Sequence, residues 1–298
     1  MRGGFSLFDT HIHIGSARHS GRRHHAADII GSMNRFGVDQ AVAIPFPVVE
    51  DYRREHDEIG AALRDYPGRF VGAACLNPFI PEREFRDEVR RCREIHGFRA
   101  LKFQPQYQAL NPLLESSAFL FETAIENNMA LIVHTGTGIP FSLPSMYLLA
   151  ARQYPELTIV LAHCGGGGIF LGEAIVAASL FTNICLELST LMPHQVLEVL
   201  QRVPSDRLMA GSDLPENLDV EMSKILGLAI SDHDKRNILS GTGCRVFGDA
   251  PAGVVTLPAG SELSQAAALK NSAGAAVPLS STATLNDGMS TPDRNVLF

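Results

Sequence analysis

The chain has 298 residues, a 45% apolar share, no tryptophan and a formal charge of -7. That length supports one large core or two modest ones. The acidity, with no long basic run, argues against nucleic acid as a partner, and no window is apolar enough to span a bilayer. The first residues hold no apolar stretch of signal length. Five cysteines (Cys75, Cys92, Cys164, Cys185 and Cys244) form no CxxC pair, which suits a reducing cytosol better than a disulfide framework. A cytoplasmic chain that handles a small molecule is the expectation.

The first strand candidate, 5–10, opens the run FSLFDTHIHIG, in which Asp9, His11 and His13 alternate. Strand residues two apart share a face, so both imidazoles can aim into one space and form half of a metal site. Further apolar runs at 38–45, 70–77, 98–104, 130–135, 158–164, 183–189 and 207–212 read as strands. Between and after them, amphipathic runs near 26–36, 52–65, 82–95, 115–128, 143–153, 170–180, 193–202 and 220–240 read as helices. Several end on turn signals such as Gly37 and His96-Gly97. Eight strand–helix repeats within about 245 residues have the size and rhythm of a (β/α)8 TIM barrel. An open doubly wound sheet is the alternative, weakened because no GxGxxG follows the first strand. Residues 249–298 are rich in Ala, Gly, Ser, Thr and Pro and hold no aromatic before Phe298. Such a tail buries too little apolar area to offset its ordering entropy, so disorder is expected there, with a short helix conceivable at 261–271.

Polar residues recur where the predicted strands end, the face on which barrel enzymes build their sites. The first strand leads to His11 and His13, the fifth to His134, the sixth to His163 and the eighth to Asp213. One such histidine is ordinarily a satisfied rim residue. Five unpaired polar groups at one barrel mouth would each cost a few kcal/mol, which a bound cation relieves. His19, His24, His25, His56, His96, His194 and His233 fall in predicted loops or helices and read as surface groups.

The runs FDTHIHIG, LIVHTG, LAHCGGG and GSDLP, in that order, resemble the amidohydrolase superfamily in its amidohydrolase-2 branch, and NILSGTGCRVFG resembles that branch's closing helix. The resemblance spans roughly residues 5–248. It implies a TIM-barrel enzyme with one divalent ion, most often zinc with manganese also seen, held by His11, His13, His134 and Asp213. It further implies that Asp213 exchanges a proton with water and that His163 orients water or substrate. Three imidazoles and a carboxylate suit zinc with one open position. Asp9 reads either as an anchor for an imidazole or as a buried strand contact. Two-metal relatives carboxylate a lysine where this chain has Lys102. An unmodified Lys102 facing substrate is the preferred reading.

Around this set, Arg18, Arg22 and Arg23 could bind a substrate carboxylate or phosphate, or lie in an exposed loop. Gly165 to Gly168 could cradle an anion, or pack closely beside the site. Glu187 could form a polar wall to the substrate. Thr242 stands where the branch usually has asparagine, which could weaken a cap. Homodimers are frequent in that branch and are an expectation for this chain. The first βα loop is short, whereas the branch's decarboxylases usually carry insertions there. Hydrolysis of a small ester, lactone or amide is therefore preferred over decarboxylation of a carboxylic acid. A non-catalytic binding protein is the rival from another class, disfavoured because the whole set of polar groups is kept.

Overall fold

The structure, a computed structural model, describes residues 2–248 apart from 19, 139 and 140. The tail expected to be disordered, with its helix at 261–271, lies outside the described residues. The strands are β1 (Phe8–Ser16), β2 (Arg23–His24), β3 (Gln40–Pro45), β4 (Phe70–Ala74), β5 (Ala100–Phe103), β6 (Ala130–His134), β7 (Ile159–Ala162), β8 (Ile184–Glu187) and β9 (Leu208–Met209). Their order in the sheet is β2-β1-β3-β4-β5-β6-β7-β8-β9, parallel throughout except for the antiparallel β1–β2 pair. The far edges meet: Thr10 N–H donates to Ala210 O at 2.9 Å and His13 N–H to Asp213 O at 3.0 Å, with Ile12 and Asp213 forming a parallel bridge. The expected barrel of eight parallel strands is therefore present, with β2 as an addition.

Two apolar layers hold it. Inside lie Val42, Ile44, Ala73, Ala100, Ala130, Ile132, Val160, Ala162 and Met209, closed at the bottom by Phe8 against Phe247. Small alanines on successive strands leave room for the branched residues, as a narrow barrel requires. The outward-facing residues of the same strands, such as Ala41, Ala43, Leu131, Val133, Ile159 and Leu161, pack under the helices. Alternation on β5, β6 and β8 then turns Lys102, His134 and Glu187 inward with Ala100, Ile132 and Cys185.

The helices are α1 (Ala26–Phe36), α2 (Tyr52–Asp65), α3 (Glu82–His96), α4 (Pro105–Gln108), α5 (Ala118–Glu126), α6 (Leu148–Gln153), α7 (Leu171–Leu180), α8 (Pro193–Leu200), α9 (Leu218–Gly227), α10 (Asp232–Arg236) and α11 (Thr242–Phe247). The single helix expected over 220–240 is instead α9, then α10 running through a π turn, Asn237–Gly241, into α11. The reason is a tertiary contact: Ile238 O accepts from Ala210 N at 2.9 Å, tying the closing helix to the end of the last barrel strand. Thr242 lies inside this helical run, where its hydroxyl donates to Ser205 O at 3.3 Å; it is not a cap. No helix among the described residues is long and apolar enough to cross a membrane.

Candidate active site

The HxH pair owes its placement to an irregularity in β1. The pairing with β3 shifts register between Asp9 and Ile12, so three steps on β1 match two on β3. Strict alternation from Asp9 is broken, and Asp9 parts from the imidazoles. It is fully buried and accepts from His11 N at 3.1 Å, Ser212 N at 2.9 Å and Ser212 Oγ at 2.6 Å. Burial pushes its carboxyl up to about 7. Asp9 therefore reads as the buried strand contact, joining β1 to the segment that delivers Asp213. No imidazole touches it in these bonds.

Asp213 is fixed by its backbone. Its N–H donates to His11 O at 2.6 Å while its own O accepts from His13 N at 3.0 Å, with φ at 65°. His163 and Cys164 are also left-handed, at 65° and 46°. Such strain at strand ends marks positions that the surrounding structure over-determines. Gly211, just upstream, sits so close to Glu187 and His11 that a Cβ would fall 2.6 Å from Glu187 Oε1, which excludes any side chain without a shift.

Hydrogen-bond partners assign the tautomers. His11 Nδ1 faces Glu187 Oε2 at 3.1 Å and His13 Nδ1 faces Ile44 O at 3.3 Å. Both partners only accept, so each Nδ1 carries the proton and each Nε2 keeps its lone pair. Ser189 Oγ donates to Glu187 Oε2 at 2.9 Å, so His163 Nδ1, 2.7 Å from that hydroxyl, must be the donor between them. Three Nε2 lone pairs then face one carboxylate oxygen: Asp213 Oδ1 lies 3.6 Å from His11, 3.6 Å from His13 and 3.9 Å from His163. Four acceptors with no hydrogen between them repel unless a cation joins them. The structure supplies part of one in Lys102, whose Nζ stands 3.1 Å from His11 Nε2. Burial lowers this ammonium to about 8.

His13, His11 and Asp213 offer ligand atoms all within 4.8 Å of one another, as do His11, His163 and Glu187. His134 belongs to neither trio, although its ring lies 4.9 Å from that of His163. Its Nε2 donates to Thr137 O at 3.1 Å, which leaves Nδ1 as a buried lone pair with no hydrogen-bond partner among the described residues. An orphaned acceptor beside a ring of acceptors fits a cation in the same space. A third trio, His56, Glu88 and Cys92, has no such vacancy. His56 donates to Glu88 at 2.8 Å and accepts from Cys75 N at 3.0 Å, so both ring nitrogens are engaged.

Electrostatics follow. Burial opposes ionisation of Asp213, yet His163, His11, His13 and Lys102 around it hold its carboxyl well below the usual range. Burial lowers His13 and His134 to about 4 and holds His11 and His163 well below the usual imidazole range. An unfolded chain takes up protons on these imidazoles near 6.5, whereas in the folded one His13 and His134 do so only near 4, so stability falls as pH drops between those values. The expected result is a urea midpoint of chelator-treated protein that declines from about pH 6.5 to about 4. His134→Gln should flatten the decline by about one proton. A flat profile in both proteins would contradict the assignment.

Several other expectations shift. Glu187 is fully buried behind the imidazoles; it accepts from His11, from His163 N at 3.0 Å and from Ser189 N at 2.6 Å. It is therefore not a wall open to substrate, because both oxygens are already committed. Arg22 and Arg23 line a cleft of about 480 Å³ with Arg18, Glu50, Asp51 and Arg54, between the β1–β2 hairpin and the start of α2, and none of the five strand-end groups borders it. In the run after His163, Gly165 N donates to Thr135 Oγ1, Gly166 N to His163 O and Gly167 N to Thr190 Oγ1. Those donors are spent, so close packing is the better account: a Cβ on Gly136 would fall 2.4 Å from Gly166 Cα. Unforeseen were Ser189, which links His163 to Glu187, and Phe46, which stacks on His13 at 4.8 Å. His24, read as a surface group, stacks on Phe46 at 5.9 Å; only the short β1–β2 pairing, with Gly15 opposite His24, could have signalled it.

A family model described as amidohydrolase matches residues 8–248. The chain belongs to the amidohydrolase family. No curated protein matches it. Among solved structures, this amidohydrolase is similar in fold to a 5-carboxyvanillate decarboxylase of Novosphingobium aromaticivorans holding manganese and a nitrobenzoic acid ligand, at TM-score 0.68 and 16% identity, over 82% of this chain and 96% of that one. It is likewise similar to a protein of Acinetobacter baumannii described as a "probable 2-pyrone-4,6-dicarboxylic acid hydrolase" with citric acid bound, at TM-score 0.60 and 15% identity, over 82% and 100%. A dihydroxybenzoic acid decarboxylase of Polaromonas with manganese and 2-nitroresorcinol gives TM-score 0.65 at 16% identity, over 82% and 97%. The family and these neighbours are enzymes, both hydrolases and decarboxylases.

Proposed function

We propose that the protein is a metal-dependent hydrolase that cleaves a small ester, lactone or amide with water. The observation that carries this reading is the set of lone pairs from His11, His13 and His163 around one oxygen of Asp213. His11, His13 and Asp213 would hold one divalent ion, with His134 Nδ1 as the further donor. The imidazole-rich set favours zinc; the manganese of the decarboxylases of like fold makes that ion the alternative. When bound, the ion supplies Lewis acidity, lowering the pKa of water and polarising a carbonyl. Asp213, ionised at neutral pH, takes the proton of the attacking water and returns it to the leaving group. His163 presents an acceptor Nε2 and so holds that water in line by accepting its second hydrogen. Glu187 keeps the tautomers of His11 and His163 in place. Lys102, unmodified, stands beside His11 and offers a cation to a polar group of the substrate.

A second reading is non-oxidative decarboxylation of a carboxylic acid at the same residues. The likeness in fold to two decarboxylases favours it. Metal quantification on protein purified without chelator, joined to assays of lactones, esters and aromatic acids, separates the two. About one equivalent of metal with acid release from esters or lactones is expected, and His11→Ala should abolish both. Carbon dioxide release without ester turnover would overturn the hydrolase, and protein without metal or turnover would leave a binding protein.

A further inference from the structure

We infer that a second cavity on the catalytic face is a specificity pocket for a neutral apolar arm of the substrate, aryl or branched alkyl, distal to the reacting carbonyl. The inference rests on the hydrolase reading for the reaction, but on its own residues for the pocket. The cavity, about 300 Å³, is lined by Pro47, Val48, Tyr52, Leu76, Phe79 and Tyr107, with Asn77 and Gln108 beside them. These come from the segments that follow β3, β4 and β5, at the end of the barrel where His11, His13 and Asp213 meet. None of the five strand-end groups borders this cavity either, and its link to the centre runs along the chain. Pro47 follows Phe46, which stacks on His13, and α4, which carries Tyr107 and Gln108, begins three residues after Lys102.

The lining contains no charged side chain, unlike the arginine cleft. Most of its polar atoms are already engaged. Asn77 Oδ1 accepts from Phe79 N at 3.0 Å, Gln108 donates to Leu76 O at 3.0 Å and accepts from Gln104 N at 2.8 Å, and Tyr52 donates to Glu84 at 2.5 Å. What remains for a ligand is apolar and aromatic surface. Phe79 is 67% exposed and Val48 38% exposed, side chains whose cover from water would be gained on binding. The volume lies at the small end of ligand sites and exceeds the ~150 Å³ apolar cavity that admits a benzene. One ring or short branched chain fits it, whereas a peptide helix does not.

The test uses the metal-loaded full chain. Neutral 2-naphthol is titrated by its own fluorescence, free of tryptophan background because the chain has none. Saturable binding is expected, weakened tenfold or more in Val48→Phe, which fills the cavity, and unchanged in Leu149→Phe on α6. With turnover, Val48→Phe should raise KM for phenyl- and naphthyl-bearing esters about tenfold, with kcat little changed and acetyl-sized esters unaffected. If naphthol does not bind, or Val48→Phe leaves its binding unchanged, the pocket is refuted. Equal losses for large and small esters refute it as well. Naphthol binding lost in Val48→Phe, without hydrolysis of any ester, would keep the pocket and remove the hydrolase reading.

Discussion

Asp213→Asn should lower kcat/KM by about 10³-fold or more while leaving the fold intact. The side chain loses its charge and its capacity to take a proton, so both proposed duties fail together. The backbone role does not, because the bonds to His11 O and from His13 N involve only main-chain atoms. Asparagine also tolerates the left-handed conformation at φ 65°. Alanine lacks that tolerance, and Asp213→Ala should cost about 1–2 kcal/mol of stability in addition to activity. Three measurements check this: kcat/KM, bound metal per chain and the urea midpoint. The expected pattern is activity and metal lost in both variants, with the midpoint falling only in alanine. An asparagine variant that kept more than a tenth of the activity would remove Asp213 from proton transfer.

How far this site could be read in advance depended on what kind of signal each residue carries. His11 and His13 are two apart on one strand, and their rings still meet at 5.2 Å although the register shift between Asp9 and Ile12 spans His11. Asp9 lies on the other side of the register shift, which no periodicity announces, so its alternation with the histidines was misleading. The strands themselves were legible because buried parallel strands are short apolar runs, as in ALIVH of β6. The closing helix was not, since its π turn arises from a bond between Ile238 and Ala210, a tertiary contact. The inward position of Glu187 follows from strand alternation, but alternation does not separate the substrate side from the imidazoles. Only the side chains of His11 and His163, brought in from β1 and from the end of β7, show that it faces them instead. His24 depends on a two-residue ladder too brief for any pattern to reveal.

Glu187→Gln tests whether the imidazoles are held by chemistry that the metal-facing residues cannot supply for themselves. The carboxylate is fully buried and receives four donors: His11 Nδ1, His163 N, Ser189 N and Ser189 Oγ. An amide offers one accepting oxygen and a donating NH2 in the same volume: NH2 in the place of Oε1 opposes Ser189 N alone, and in the place of Oε2 it opposes His11 Nδ1, His163 N and Ser189 Oγ together. In the second placement the His11 imidazole changes tautomer and Nε2 acquires the hydrogen, pointing it at Asp213 Oδ1 3.6 Å away. A protonated Nε2 cannot donate a lone pair to a metal. Metal affinity should therefore fall about 10–100-fold, and the buried mismatch should cost about 1–3 kcal/mol of stability. Ser189→Ala is the contrast: it breaks only the His163–Ser189–Glu187 link and leaves His11 on its carboxylate. That variant should keep its metal and lose kcat, whereas Glu187→Gln loses metal first and recovers part of its rate when metal is added in excess. Equal metal affinity in wild type and Glu187→Gln would show that the Nε2 lone pair of His11 does not depend on Glu187.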